Sequence, residues 1–232
     1  GQDAAQWMRP FSVISDVKVR YYPIAVDRVR YVGEPVAVVV ARSRYIAEDA
    51  LDLIEVEYEP LPAVVDPEAA MAEDAPILHE RSNVAVARDL RYGEPDRVFE
   101  QASRVVSLRI VFPKYSSTPI ETYGIIASYD PGSEQFTIWS NFHGPFIMHP
   151  VIADALGVPE NRLRFIVAKD VGGSFGIKIS SYPYLALMAL VARKAAEPVK
   201  WIEDRQEHLT ASSSHTNRVA YLEAAVREDG KI

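Results

Sequence analysis

Two stretches of this sequence combine residue types that can do chemistry. The first is Gly172-Gly173-Ser174-Phe175-Gly176, which follows a strand-like apolar run and precedes a long apolar segment. Three readings suit it. Its glycines permit a tight turn with positive φ or close packing. Its backbone N–H groups can cradle an anionic or polar ligand, although the spacing is not that of a P-loop and the dinucleotide-type glycine pattern is incomplete. It also satisfies G-x-S-x-G, the nucleophile elbow of serine hydrolases. Ser174 would then be the nucleophile, with Asp204 and His208 or His215 following in triad order. Lys178, Ser180, Ser181 and Pro183 predict that no helix begins directly after this loop, which weakens the hydrolase reading.

The second stretch is Trp139-Ser140-Asn141-Phe142-His143-Gly144-Pro145. His143 falls where a strand ends, and Gly144-Pro145 turns the chain into a helix. A side chain at such a junction points across the strand ends, where mixed α and β folds often bind ligands. A structural histidine fits the same place. His143 and His149 stand six apart, which puts no metal-binding pair on one helix face. His208 and His215 flank the polar run 210–214, which reads as a loop rather than a ligand set.

The elements that must position these stretches follow from hydrophobic period. Val17 to Tyr21 alternates, and Val36 to Ala41 is a continuous apolar run suited to a buried strand. Ile46, Ala50, Leu53 and Ile54 form one stripe of a helix over about 43–53. Glu55 to Glu59 switches to period two, with Val56 and Tyr58 facing in and three glutamates on a solvated face. Asp66-Pro67 opens a short helical turn. From about Glu73 to Gln101 no period persists, so this is read as a connector, packed because Ile77, Leu78, Val84, Val86 and Leu90 are too apolar for a free tether.

Strands are predicted over 104–112, 123–129, 135–139, 162–168 and 218–226, with another starting at Pro198 and a turn at Asp130-Pro131-Gly132. Helices are predicted over 146–156 and 184–194, the second apolar on nearly every face and therefore buried. Glu228-Asp229-Gly230-Lys231 signals a hairpin whose returning strand is expected beyond Ile232, and a start at Gly1 rather than Met leads us to expect more chain upstream.

Composition excludes whole classes. The 232 residues contain no cysteine, so within them there is no disulfide, no thiol nucleophile and no cysteine-held iron–sulfur cluster. The formal charge of −7 argues against a sequence-independent grip on nucleic acid. No apolar run approaches the roughly 20 residues of a membrane span.

Several ordered motifs together resemble one family. Tyr31-Val32-Gly33-Glu34-Pro35-Val36-Ala37 and Val56-Glu57-Tyr58-Glu59-Pro60-Leu61-Pro62 are similar to the first domain of molybdenum hydroxylase large subunits, the xanthine dehydrogenase and aldehyde oxidase superfamily, most like its bacterial carbon-monoxide-dehydrogenase type. The likeness continues through Thr118-Pro119-Ile120-Glu121-Thr122, the 139–145 stretch, Gly172 to Lys178 and Pro198 to Arg205. It implies an α+β fold: a small hammerhead-like α/β domain over residues 1–80, a connector over 81–102, and over 103–232 the first part of a molybdopterin-binding α+β domain.

The same resemblance implies a molybdenum–molybdopterin cofactor in its cytosine dinucleotide form, held here by His143, Gly144, Gly172, Gly173, Ser174, Phe175 and Gly176, none of them a direct metal ligand. His143 stands at the family's usual glutamine and Ser174 at its usual third glycine. The implied reaction is hydroxylation of a small aldehyde or N-heterocycle, or oxidation of carbon monoxide, with water-derived oxygen. The family's catalytic base is expected downstream of Ile232, so Glu121 and Glu203 are read as structural and the segment alone as inactive. An iron–sulfur small subunit, an FAD-binding medium subunit and the remainder of the large subunit are the implied partners, with a cytoplasmic location. The alternatives are the Ser174 hydrolase and a non-catalytic module that has lost the cofactor.

Overall fold

A computed structural model describes residues 1–11, 19, 21–79, 82–211 and 216–232. In chain order its elements are α1 (Gln2–Trp7), α2 (Arg44–Leu51), α3 (Pro95–Glu100), β1 (Arg104–Phe112), β2 (Gly124–Asp130), β3 (Gln135–Ser140), α4 (Pro145–Ala155), β4 (Leu163–Val167), α5 (Ile177–Ser180), α6 (Tyr182–Ala195), β5 (Val199–Ile202), α7 (Arg205–Ala211) and β6 (Arg218–Val226). The architecture is α+β, as the sequence implies. The chain forms two compact units, one of residues 1–60 and 116–214, the other of 61–115 and 215–232.

The first unit is built on a four-stranded sheet ordered β4-β3-β2-β5. β2 pairs antiparallel with both β3 and β5, and β3 pairs parallel with β4. Alternation along the strands sends Ile125, Ala127, Phe136 and Ile138 to one face, where all four are buried. Helix α6 lies against β2, β3 and β5, and α4 against β4 and α6. Leu185, Ala186, Leu187, Met188, Ala189, Leu190 and Ala192 are all buried, which accounts for a helix apolar on nearly every face. The β2–β3 turn forms where predicted, with Asp130 Oδ1 accepting from the Gly132 N–H at 2.9 Å.

The second unit holds an antiparallel pair in which Arg104 to Phe112 of β1 faces Val226 to Arg218 of β6. Asp66 Oδ1 accepts from the N–H groups of Glu68 (3.0 Å) and Ala69 (2.7 Å), capping the predicted helical turn at Ala69–Met71. Glu68 also binds Arg109 and Tyr221, tying that turn to the paired strands.

Several expectations change. Among the described residues, 36–41 and 55–59 join no ladder, so neither forms a strand there. Val56 and Tyr58 are accordingly exposed. Helix α2 forms with Ser43 as its cap, yet Ile46, Leu53 and Ile54 face solvent. The connector contains α3, and Ile77, Val84, Val86 and Leu90 are exposed rather than packed. Of the alternation at 17–21, residues 17, 18 and 20 lie outside the described residues.

Leu185 is fully buried beneath the sheet. Leu185→Ala is expected to cost about 2–5 kcal/mol, read as a lower midpoint in urea denaturation with an unchanged slope.

Candidate functional site

The strand pairings bring four segments to one end of the first sheet. Ser140 at the end of β3 lies beside Val167 at the end of β4 and beside Ile125 near the start of β2. Gly124 lies beside Ile202 at the end of β5. Glu121–Tyr123, Asn141–Gly144, Ala168–Gly176 and Glu203–His208 therefore all leave the sheet on the same side.

Asn141 stitches the first two segments. Its Nδ2 donates to the Thr122 carbonyl (2.8 Å), and its Oδ1 accepts from the Gly124 N–H (3.1 Å). Gly144 adopts φ +71° ahead of Pro145 at the first turn of α4, the predicted turn into a helix. The His143 N–H donates to the Lys178 carbonyl at 3.5 Å, and a Cβ on Gly144 would lie 2.7 Å from Ile179 Cδ1. The residues just after the glycine loop, Lys178 and Ile179, thus meet the His143–Gly144 turn. Phe142, His143, Gly144, Pro145, Val167 and Val171 line part of an open groove of about 940 Å³.

The glycine-rich loop is held from both sides. Glu121 Oε2 accepts from the Gly172 N–H at 2.8 Å and pairs with the Lys178 ammonium, which also reaches the Gly172 carbonyl at 3.3 Å. Ser117 Oγ donates to the Phe175 carbonyl at 3.1 Å. The ion pair with Lys178 holds the Glu121 carboxyl below the usual carboxylate range, and the Gly172 N–H and Asn141 add to this. A Cβ on Gly172 would lie 2.8 Å from Glu121 Cβ, and one on Gly173 would lie 2.7 Å from the Phe175 ring. At Gly172 the Glu121 Cβ already occupies that space, whereas at Gly173 the crowding atoms are the outer edge of the Phe175 ring. Phe175 has φ +50°, a left-handed conformation uncommon for a bulky residue, and its ring is 70% exposed. Among the described residues, the N–H groups of Gly173, Ser174, Phe175 and Gly176 make no hydrogen bond. Such a run of free backbone donors is a cradle for a polar or anionic group.

The geometry gives the hydrolase reading no support. Ser174 Oγ accepts from the Lys178 N–H at 3.1 Å, and the Ser174 carbonyl accepts from the Ile177 N–H at 3.0 Å. These two bonds start α5 immediately after Gly176, a helix the intervening polar residues concealed. Asp204 is occupied at the start of α7, where its Oδ1 accepts from the Glu207 N–H (2.7 Å) while Glu207 Oε2 accepts from the Asp204 N–H (2.9 Å). His208 sits on α7 rather than in a loop, and its Nδ1 donates to Glu203 Oε2 at 2.7 Å with both side chains buried. Ser174 Oγ, the Asp204 carboxylate and the His208 ring therefore each bond a partner other than one another. His215 lies outside the described residues.

Glu203 is structural, as its sequence reading has it, and Lys178 joins it in framing the glycine loop. Glu203 Oε2 also accepts from the Tyr123 N–H (3.2 Å), while the Tyr123 hydroxyl donates to the Ile177 carbonyl (2.8 Å). The buried carboxylate thus anchors the start of β2 and, through Tyr123, the end of the glycine loop. A lysine placed between a glycine loop and a buried helix was the available signal for Lys178.

Glu203→Ala would leave the buried Tyr123 and His208 donors without their acceptor and is expected to destabilise the fold by about 3 kcal/mol or more, measured by denaturant unfolding. A fluorophosphonate probe is expected not to label Ser174, as judged by intact mass; stoichiometric labelling lost in Ser174→Ala would overturn the assignment of its hydroxyl to the loop.

Comparison with known proteins accords with this geometry. Residues 78–232 match the family described as "Molybdopterin cofactor-binding domain", and residues 5–62 match "Aldehyde oxidase and xanthine dehydrogenase, a/b hammerhead domain". The chain is 37% identical over 212 residues to the 6-hydroxypseudooxynicotine dehydrogenase complex subunit gamma of Paenarthrobacter nicotinovorans, covering 90% of this chain and 26% of that protein. It is 34% identical over 224 residues to the carbon monoxide dehydrogenase large chain of Afipia carboxidovorans, covering 90% of this chain and 28% of that one. The structure of quinoline 2-oxidoreductase from Pseudomonas putida 86 superposes with a TM-score of 0.80 at 33% identity, over 98% of this chain and 29% of that chain. The chain thus spans little more than a quarter of the length of these relatives. It belongs to the molybdenum hydroxylase family of xanthine dehydrogenase and aldehyde oxidase, with a hammerhead domain followed by part of the molybdopterin cofactor-binding domain.

Proposed function

We propose that this chain is the part of a molybdenum hydroxylase large subunit that helps hold molybdenum–molybdopterin, in an oxidoreductase acting on a small aldehyde, N-heterocycle or carbon monoxide. The observation that carries the reading is the cradle. Free N–H groups run from Gly173 to Gly176, and the residues just after them, Lys178 and Ile179, meet the His143–Gly144 turn. That arrangement fits a rigid, polar, oxygen- and sulfur-bearing group brought close to the backbone.

When bound, the cofactor supplies Lewis acidity and a two-electron sink for adding water-derived oxygen to carbon. This chain's residues bind and orient. Backbone donors of 173–176 take the polar edge of the cofactor, and the exposed Phe175 ring forms an apolar wall that excludes water. His143, at the position where the family usually has glutamine, offers a ring N–H in place of an amide N–H. Gly144 keeps the opposite side of the turn free of a side chain. By family likeness, the catalytic base belongs to another part of the large subunit.

The remaining assignments rest on family likeness. They are the cytosine dinucleotide form of the cofactor, an iron–sulfur small subunit, an FAD-binding medium subunit and a cytoplasmic location. Among the described residues, no helix is long and apolar enough to cross a membrane. The domain reading is a hammerhead-like domain over 1–80, a connector over 81–102 and the molybdopterin-binding part from 103 to 232.

The full-length protein that carries this sequence, purified from its natural host, is expected to contain about one molybdenum per large subunit by elemental mass spectrometry. A folded protein with none would overturn the proposal.

A further inference from the structure

Resting on the cofactor-binding reading above, we propose that Glu121 and Lys178 are positioning residues whose ion pair grips both backbone polar groups of Gly172 and so fixes the 172–176 loop at its working distance from the cofactor. Neither residue need touch the cofactor for this.

The argument begins with an imbalance of burial. The Lys178 side chain is fully buried, whereas that of Glu121 is 41% exposed. A buried ammonium is costly unless paired and hydrogen-bonded, and a lysine in this place contributes little that an apolar side chain of similar length would not. What an apolar side chain lacks is a donor for the Gly172 carbonyl. Glu121 completes the grip, because one oxygen takes both the ammonium and the Gly172 N–H. Gly172 is thereby held by its N–H and its carbonyl from residues 51 and 6 positions away.

The far end of the loop is closed by the same lysine. The Lys178 N–H donates to Ser174 Oγ, and its carbonyl accepts from Ser181 Oγ (2.8 Å) and from the His143 N–H (3.5 Å). Lys178 is thus in contact with the first residue of the loop, with its middle and with the His143 strand end. Between these fixed points the donors at 173–176 have no partner in the fold to hold them in place. Without an external brace that stretch would sample many conformations, and its affinity for a rigid ligand would fall with the fraction in the competent one.

The test uses the full-length protein in its natural complex. Glu121→Gln leaves the buried ammonium without its counter-ion and is expected to lower the melting temperature. Glu121→Gln/Lys178→Met removes both charges, keeps an acceptor for the Gly172 N–H and fills the lysine's space. The double variant is expected to melt close to the wild type. Its hydrogen-bonded amides at 172, 177 and 178 are expected to exchange about tenfold faster, with those of β3 unchanged. Molybdenum retained after prolonged dialysis is expected to fall several-fold.

Unchanged loop exchange in the folded double variant would overturn the clamp, as would equal acceleration in β3 and the loop. Faster loop exchange with molybdenum fully retained would overturn its link to the cofactor. A wild type without molybdenum would sink the functional reading instead, and the exchange comparison would still decide whether the pair holds the loop.

Discussion

Everything at the candidate site depends on the direction of one strand pair. β3 and β4 are the only parallel neighbours among the described strands, so their C-terminal ends fall side by side. The segments that follow them, one carrying His143 and the other the glycine loop, are adjacent for that reason alone. β2 runs the opposite way and contributes its beginning to the same end, which delivers Glu121; β5 contributes its end, which delivers Glu203. One parallel pairing at the sheet edge followed by two antiparallel pairings thus gathers residues from positions 121, 143, 172 and 203. Burial of α6 and α4 against the other side of Ile125, Ala127, Phe136 and Ile138 keeps those strand ends in register.

The carboxylates of Glu121, Glu203 and Asp204 gathered there are spent on structure. Glu121 is satisfied by Lys178 and Gly172, Glu203 by His208 and Tyr123, and Asp204 by its reciprocal bonds with Glu207. Each carboxylate offsets backbone or side-chain donors that would otherwise be unpaired near the sheet end. This end of the molecule is therefore a frame with fixed polar contacts and a short run of uncommitted N–H groups. Such a frame suits a bound group that brings its own reactivity better than it suits proton transfer by side chains.

How much of this the residues announced depended on the range of the forces involved. Helix α6 and the strands from 104 onward were legible because their apolar pattern is local and long; β1 and β6 match their predicted spans residue for residue. The runs at 36–41 and 55–59 have strand composition, but a strand is a relation between two segments, and among the described residues no neighbour pairs with either. Helices α5 and α7 are too short for a period to show; Asp204 and Glu207, three apart, were the only local sign of α7. The glycine loop and His143 were visible as punctuation and strand-end chemistry. The grip of Glu121 and Lys178 on that loop was not, since it joins residues 57 apart through a contact that only the sheet order creates.

The crowding at Gly172 has a consequence for inheritance. With Glu121 Cβ and Oε2 2.8 and 3.0 Å from where a side chain would begin, the two positions compete for one small volume. A descendant sequence with any larger residue at 172 must shorten or swing the residue at 121. That change strands the ammonium of Lys178 in turn. Positions 121, 172 and 178 therefore form a single mutational unit, and a drift at one of them is tolerated only along paths that alter the others.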